Sequence, residues 1–218
     1  RGIRWICLER EEVVPMRPKY YFVPPVPLRK IFRSVIWNSS SDHILISIDD
    51  GPGDSSTTEI LKTLGDSRVK ALFFVTADAA IKNRKLIKEI LEQGHSIGNH
   101  SFSHKRLRFV SRSVLQREIV DSKSVIEDIT GLPVGYFRPP YGAFDPFVLT
   151  AIGESGQKCV MWSLLTGDYL GNRTDTENVI KNYLRSDSIL VYHDNLKSRK
   201  TIIESLKDTI RIANEKAY

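Results

Sequence analysis

The stretch His43 to Val75, HILISIDDGPGDSSTTEILKTLGDSRVKALFFV, decides the fold class. Ile44 to Ile48 is a short apolar run and reads as a buried strand. Asp49, Asp50, Gly51 and Pro52 then turn the chain sharply, because Gly and Pro supply the backbone angles of a tight turn. Thr57 to Leu64 places its apolar side chains at helical spacing, and Ala71 to Val75 is a second short apolar run. A strand, a helix and a strand in that order form a βα rhythm, which favours a parallel sheet.

The rhythm continues downstream. Leu86 to Gln93 reads as helix and His95 to Gly98 as strand. Ser113 to Ile129 reads as a long helix stopped by Gly131 and Pro133. A short strand around Tyr136 and Phe137 follows, then Pro146 to Ser155 as helix and Cys159 to Ser163 as strand. Glu177 to Leu184 (helix), Ile189 to Tyr192 (strand) and Thr201 to Ala213 (helix) close the chain. Alternation of this length fits either an open sheet or a barrel, with the chemistry at the carboxyl ends of the strands in both.

Upstream, Pro15, Pro18, Pro24, Pro25 and Pro27 predict an extended arm. Leu28, Ile31, Phe32, Val35 and Ile36 predict a short amphipathic helix that packs this arm on the body. The division expected is an arm over residues 1–42 and one domain over 43–218.

With 41% apolar and 9% aromatic residues in 218, the chain can bury a sizeable core. Its 32 basic and 26 acidic side chains leave a formal charge of +6. Residues 1–41 hold eight Lys or Arg against three Glu, so +5 of that excess sits in the arm. The remainder is nearly neutral and has no aromatic and basic stacking platform, which argues against nucleic acid as a partner. Cys7 and Cys159 lack metal-site spacing. No apolar run reaches the roughly 18 residues of a membrane span. Arg1 is not a Met, so a leader or anchor before it stays open.

Five clusters at strand ends carry chemistry. Asp49 and Asp50 are adjacent carboxylates; alone they also fit a helix cap beside a solvated acid. His100 and His104 are two imidazoles four residues apart that can converge on one ion. With one carboxylate they make a three-ligand site that keeps coordination positions open, suited first to zinc, with cobalt or nickel as alternatives. Arg138, Pro139, Pro140, Tyr141 and Gly142 form a stiff loop. Trp162 precedes Asp168 and Tyr169, and Leu190, Val191, Tyr192 and His193 end the last strand, where His193 is placed to act as acid or base.

Together, in this order and spacing, Asp49-Asp50-Gly51-Pro52, His100-Ser101-Phe102-Ser103-His104, Arg138-Pro139-Pro140-Tyr141-Gly142 and Leu190-Val191-Tyr192-His193 resemble the polysaccharide deacetylases, carbohydrate esterase family four. The resemblance runs from about His43 to the carboxyl terminus. It implies a distorted (β/α) barrel with about seven units, acting on the N-acetyl groups of N-acetylglucosamine in peptidoglycan or chitin-like chains. It also implies a cell-envelope or extracellular location; a monomer is expected.

In such an enzyme Asp50, His100 and His104 hold the divalent metal and Asp49 is the general base. Arg138 pairs with that base, and the backbone N–H of Tyr141 stabilises the oxyanion. His193 is the general acid, oriented by Asp168. Leu190 lines the pocket for the acetyl methyl, and Trp162, Tyr141 and Tyr169 contact the glycan. The family often shows Trp-Ser-Val-Asp-Thr-Leu-Asp-Trp where this chain has Trp162-Ser163-Leu164-Leu165-Thr166-Gly167-Asp168-Tyr169. Leu165 and Tyr169 are therefore departures that bear on substrate preference. Two rival readings are a glycan O-acetyl esterase and a non-catalytic sugar-binding barrel; the latter would lack a ligand, the base or the acid.

Overall fold

The computed structural model describes residues 19–40, 43–53 and 56–218. The stretch of the expected arm before residue 19, with Pro15, Pro18 and Cys7, lies outside them. Seven strands form one parallel sheet: β1 (Leu45–Asp50), β2 (Ala71–Val75), β3 (Ser96–Asn99), β4 (Tyr136–Phe137), β5 (Lys158–Cys159), β6 (Leu164–Leu165) and β7 (Ile189–His193). Their order is β5-β4-β3-β2-β1-β7-β6, curled into a half-barrel, as the distorted barrel of about seven units predicts.

The helices are α1 (Lys19–Phe22), α2 (Val26–Ile31), α3 (Ser56–Asp66), α4 (Ala77–Lys82), α5 (Arg84–Glu92), α6 (Arg112–Leu115), α7 (Ser122–Thr130), α8 (Pro146–Glu154), α9 (Arg173–Tyr183) and α10 (Ile202–Glu215). A π-helical turn, Gln116–Asp121, joins α6 to α7, so the long helix expected there contains a bulge.

Strand side chains alternate between faces, and the two faces have different work. Ile46, Ile48, Phe73, Val75, Leu190 and Tyr192 face the helices in the main buried cluster. The other face of β2 and β7 gives Leu72, Phe74 and Ile189 to a small cluster with Val160 inside the curl. Ser47 and Asp49 lie on that inner side, so β1 carries polar groups into the interior and must be met there by donors.

Three local readings change. The single strand expected over Cys159 to Ser163 is two short strands, β5 and β6, at opposite edges of the sheet. Instead of forbidding helix, the prolines start one: Pro25 is the N-cap of α2 and Pro27 sits in its first turn, where a missing N–H costs nothing. The helix expected to reach Ile36 ends at Ile31, and Leu28 and Ile31 are exposed. Val35 and Trp37 are the buried anchors instead. Here the backbone does better as an added strand: the Ile36 N–H donates to Cys159 O at 2.9 Å and Met161 N–H donates to Ile36 O at 2.8 Å. Ser39 N–H then reaches Asp187 O, so this strap runs from the edge of β5 to the foot of β7.

Candidate active site and metal centre

β1 ends on Asp49 and Asp50 at the carboxyl edge of the sheet, beside the end of β7, where Asp49 is in register with His193. Asp50 has φ +79°, a left-handed conformation that swings its side chain away from that of Asp49. Gly51 follows because nothing larger fits: a Cβ there would lie 2.4 Å from Asp194 Oδ2.

Asp50, His100 and His104 each bring one ligand atom into a group whose members lie within 4.8 Å of one another. Asp50 Oδ1 is 3.0 Å from His104 Nε2 and 3.6 Å from His100 Nε2, yet it is buried without a hydrogen-bond partner. His100 Nδ1 lies 2.8 Å from the carbonyl oxygen of Arg138, which can only accept, so the ring proton belongs on Nδ1. That leaves the His100 Nε2 lone pair facing a carboxylate oxygen, an arrangement that calls for a cation between them. Burial alone would raise the Asp50 pKa; the imidazoles of His100 and His104 more than reverse this and hold it well below the usual carboxylate range. The donor set of one carboxylate and two imidazoles therefore fits a divalent metal.

Asp49 serves a different partner. Its Oδ1 accepts from Arg138 Nη1 at 2.7 Å, and both side chains are buried. Arg138 also donates to Ser47 Oγ, Val160 O and Met161 O. Its guanidinium stacks 4.1 Å above the Phe74 ring. Every face of this buried cation is thus engaged, which is what its burial requires. Burial pulls the Arg138 pKa down and Asp49 opposes the shift.

On the opposite side, His193 Nδ1 lies 2.9 Å from Asp168 Oδ1, and the His193 backbone N–H donates to Asp168 Oδ2 at 2.8 Å. Burial would lower the His193 pKa, but Asp168 first, and then Asp49 and Asp50, raise it to about 9.

These groups open onto one cleft of about 710 Å³, lined among others by Pro139, Tyr141, Trp162, Leu165 and Tyr169. Tyr141 is 61% exposed, has φ +59° and sets its ring 4.6 Å from that of His104. The turn's own bonds run from Gly142 N–H to Pro139 O and from Ala143 N–H to Pro140 O, and neither uses the Tyr141 N–H. The Tyr169 ring stands edge-on to His193 at 5.0 Å.

Leu190 is the predicted site residue that does not join them. It is fully buried in the main cluster, on the helix side of β7. It lies three positions before His193, an odd offset, so the two point to opposite faces of the strand. The aliphatic side chain that does line the cleft is Leu165.

Two contributors escaped the sequence reading. Glu118, fully buried in the π-helical turn, accepts from the backbone N–H groups of Phe102 and Ser103 and from Ser103 Oγ, tying down the loop between His100 and His104. Its only signal was a charge on a helix face, indistinguishable from the solvated ones around it. Asn195 donates to Asp50 Oδ2 at 2.5 Å, fixing the carboxylate so that Oδ1 is presented to the imidazoles. Its place two residues after His193 was the available signal.

Residues 38–160, 123 of the 218, match the family model described as polysaccharide deacetylase. The peptidoglycan-N-acetylglucosamine deacetylase PgdA of Listeria monocytogenes is 32% identical over 203 residues, which are 92% of this chain and 40% of that protein. The chain thus spans less than half the length of that relative. A chitooligosaccharide deacetylase of Sinorhizobium fredii is 30% identical over 77% of both. Among solved structures, a peptidoglycan N-acetylglucosamine deacetylase in complex with 4-naphthalen-1-yl-N-oxidanyl-benzamide shares the fold at a TM-score of 0.82, with 24% identity over 88% of this chain and 92% of that one. Among the described residues no helix is long and apolar enough to cross a membrane. By the family match, by these relatives and by the shared half-barrel, the chain belongs to the polysaccharide deacetylases.

Proposed function

We propose that this chain is a metal-dependent deacetylase that hydrolyses N-acetyl groups of N-acetylglucosamine units in peptidoglycan or chitin-like oligomers. One observation carries the reading: a three-donor set around an unpartnered carboxylate oxygen lies between a carboxylate clamped by a buried arginine and an imidazole clamped by a buried aspartate. The first clamp suits a base and the second an acid, and both face one cleft.

A divalent metal held by Asp50, His100 and His104, zinc first by its donors, supplies Lewis-acid polarisation and eases ionisation of the attacking water. The chain's own groups do the rest. Asp49, fixed in direction by Arg138, takes the proton of the attacking water. The Tyr141 N–H, left over by its turn, supports the charge that develops on the acetyl oxygen. His193, with Nδ1 held by Asp168, keeps Nε2 for the cleft and delivers a proton to the departing nitrogen, without which an amine leaves slowly. Acetate and a free sugar amine result. Trp162, Tyr141, Tyr169 and Leu165 form the walls that meet the sugar.

Acetate released from N-acetylglucosamine oligomers and from peptidoglycan tests the proposal. Release that a chelator removes, that zinc restores and that Asp49→Asn abolishes is expected. An inert metal-loaded protein on both substrates sinks it.

A further inference from the structure

The segment just ahead of the family-matched region reaches the acid side of the cleft. Tyr21, in α1, shares a hydrogen bond of 2.8 Å with Tyr169 through their hydroxyls. Tyr169 lines the cleft and sets its ring edge-on to His193. Next to Tyr21, Phe22 is buried in the main cluster, 2% exposed. It seats against Gly167, where φ is +78° and a Cβ would lie 3.1 Å from Phe22 Cε1. Gly167 opens the turn Asp168–Leu170 that carries both Tyr169 and the partner of His193.

Two adjacent arm residues therefore brace that turn, one from below through packing and one at the cleft through a hydroxyl pair. The cleft wall at Tyr169 is also where the chain departs from the family's usual tryptophan.

We infer that Tyr21 is a positioning residue of the active site: it holds Tyr169 as the sugar-facing wall beside His193, so that the arm takes part in substrate binding. This rests on the deacetylase reading above. Removing the shared bond from either end should release the same constraint. Tyr21→Phe and Tyr169→Phe should each raise KM for N-acetylglucosamine oligomers by about 2- to 10-fold, the worth of one neutral hydrogen bond. The double variant should be no worse than the weaker single, because the bond can be lost only once. For Tyr21→Phe, which lies outside the cleft lining, turnover of a small activated acetate ester should stay at the wild-type level.

The experiment is the double-mutant cycle on metal-loaded protein, with KM and kcat read separately on oligomer and ester, and with thermal unfolding alongside. Non-additive KM increases with unchanged unfolding, and unchanged ester turnover in Tyr21→Phe, support the inference. Additive effects, an unchanged KM, or losses that follow a lowered unfolding temperature overturn it. A wild-type protein that releases no acetate from any glycan would instead overturn the deacetylase reading, and it would do so whatever the variants show.

Discussion

The two sides of the cleft are built on different principles. The side proposed for the base is dry and rigid: Asp49 and Arg138 are buried together, Arg138 has four further partners counting the Phe74 ring, and its acceptors come from β1 and the strand end after β5. The side proposed for the acid stands on a turn. His193 is 18% exposed at its side chain, Asp168 sits in a one-turn helix flanked by two left-handed glycines, and the arm props the whole from outside. In the proposed mechanism both groups change charge in each turnover, so the contrast lies in how each is held: a fixed buried counter-charge sets the direction of Asp49, whereas His193 stands partly open on one buried carboxylate.

The largest effect should follow from breaking the dry side. Arg138→Met leaves the buried Asp49 carboxylate without its partner and strips the cation from four acceptors. A buried pair that loses one partner costs about 3–5 kcal/mol, so the urea midpoint should fall far while the protein still unfolds in one step. Adding Asp49→Leu should recover much of that loss without any activity, because no charge is then left unpaired. A double variant as unstable as the single would mean that the acceptors, Ser47 Oγ, Val160 O and Met161 O, matter more than the charge.

On the acid side the expected change lies in pH dependence. His193 is held up to about 9 against an ordinary value of 6.5, so the fold favours its protonated form. That contribution to stability is fully present below about pH 6.5 and fades as pH rises through about 9. The proposed mechanism needs the same proton, so the alkaline limb of kcat/KM of the metal-loaded protein should fall at a pH below about 9, because a bound cation repels the imidazolium. Asp168→Asn should move it further toward neutrality and cut turnover on an N-acetyl sugar about 10²- to 10⁴-fold, the usual worth of a placed proton donor. An alkaline limb that stays in place would remove His193 from the acid role.

The sheet was readable because its strands are short apolar runs with stop signals, and the site because its side chains cluster at strand ends. What escaped depended on long-range pairing. β6 has only two residues, Leu164 and Leu165, and is a strand solely because β7 supplies its partners. α4, Ala77–Lys82, is too short to show a period and is fixed by its Thr76 cap. Glu118 is functional in appearance only once the π-helical turn aims it at the loop of Ser103. Leu190 was the opposite case: strand parity, countable from His193 alone, already placed it on the helix side.

Glu118→Gln sharpens the comparison from the loop between His100 and His104, the proposed metal ligands, which belongs to neither wall. The neutral amide keeps the size but offers one oxygen where the carboxylate serves three donors. Zinc affinity by competition with a chelator should drop about 10- to 100-fold, the range for partners that orient ligands.

The smallest effect should come from Leu165→Ala, and it distinguishes wall from core. Leu165 is half-buried at the cleft, whereas Leu190 in the neighbouring strand is sealed under the helices. Truncating Leu190 should cost about 2–5 kcal/mol, the range for a fully buried leucine, with KM unchanged in the folded fraction. Truncating Leu165 removes three carbons already in contact with solvent, so unfolding should shift by less than about 1 kcal/mol. KM for the oligomer should rise a few-fold, because the acyl group or sugar loses apolar wall. The reverse pattern, a KM effect at Leu190 and a stability effect at Leu165, would mean that the inner and outer faces of β7 have been assigned the wrong way round, and with them the direction of the His193 side chain.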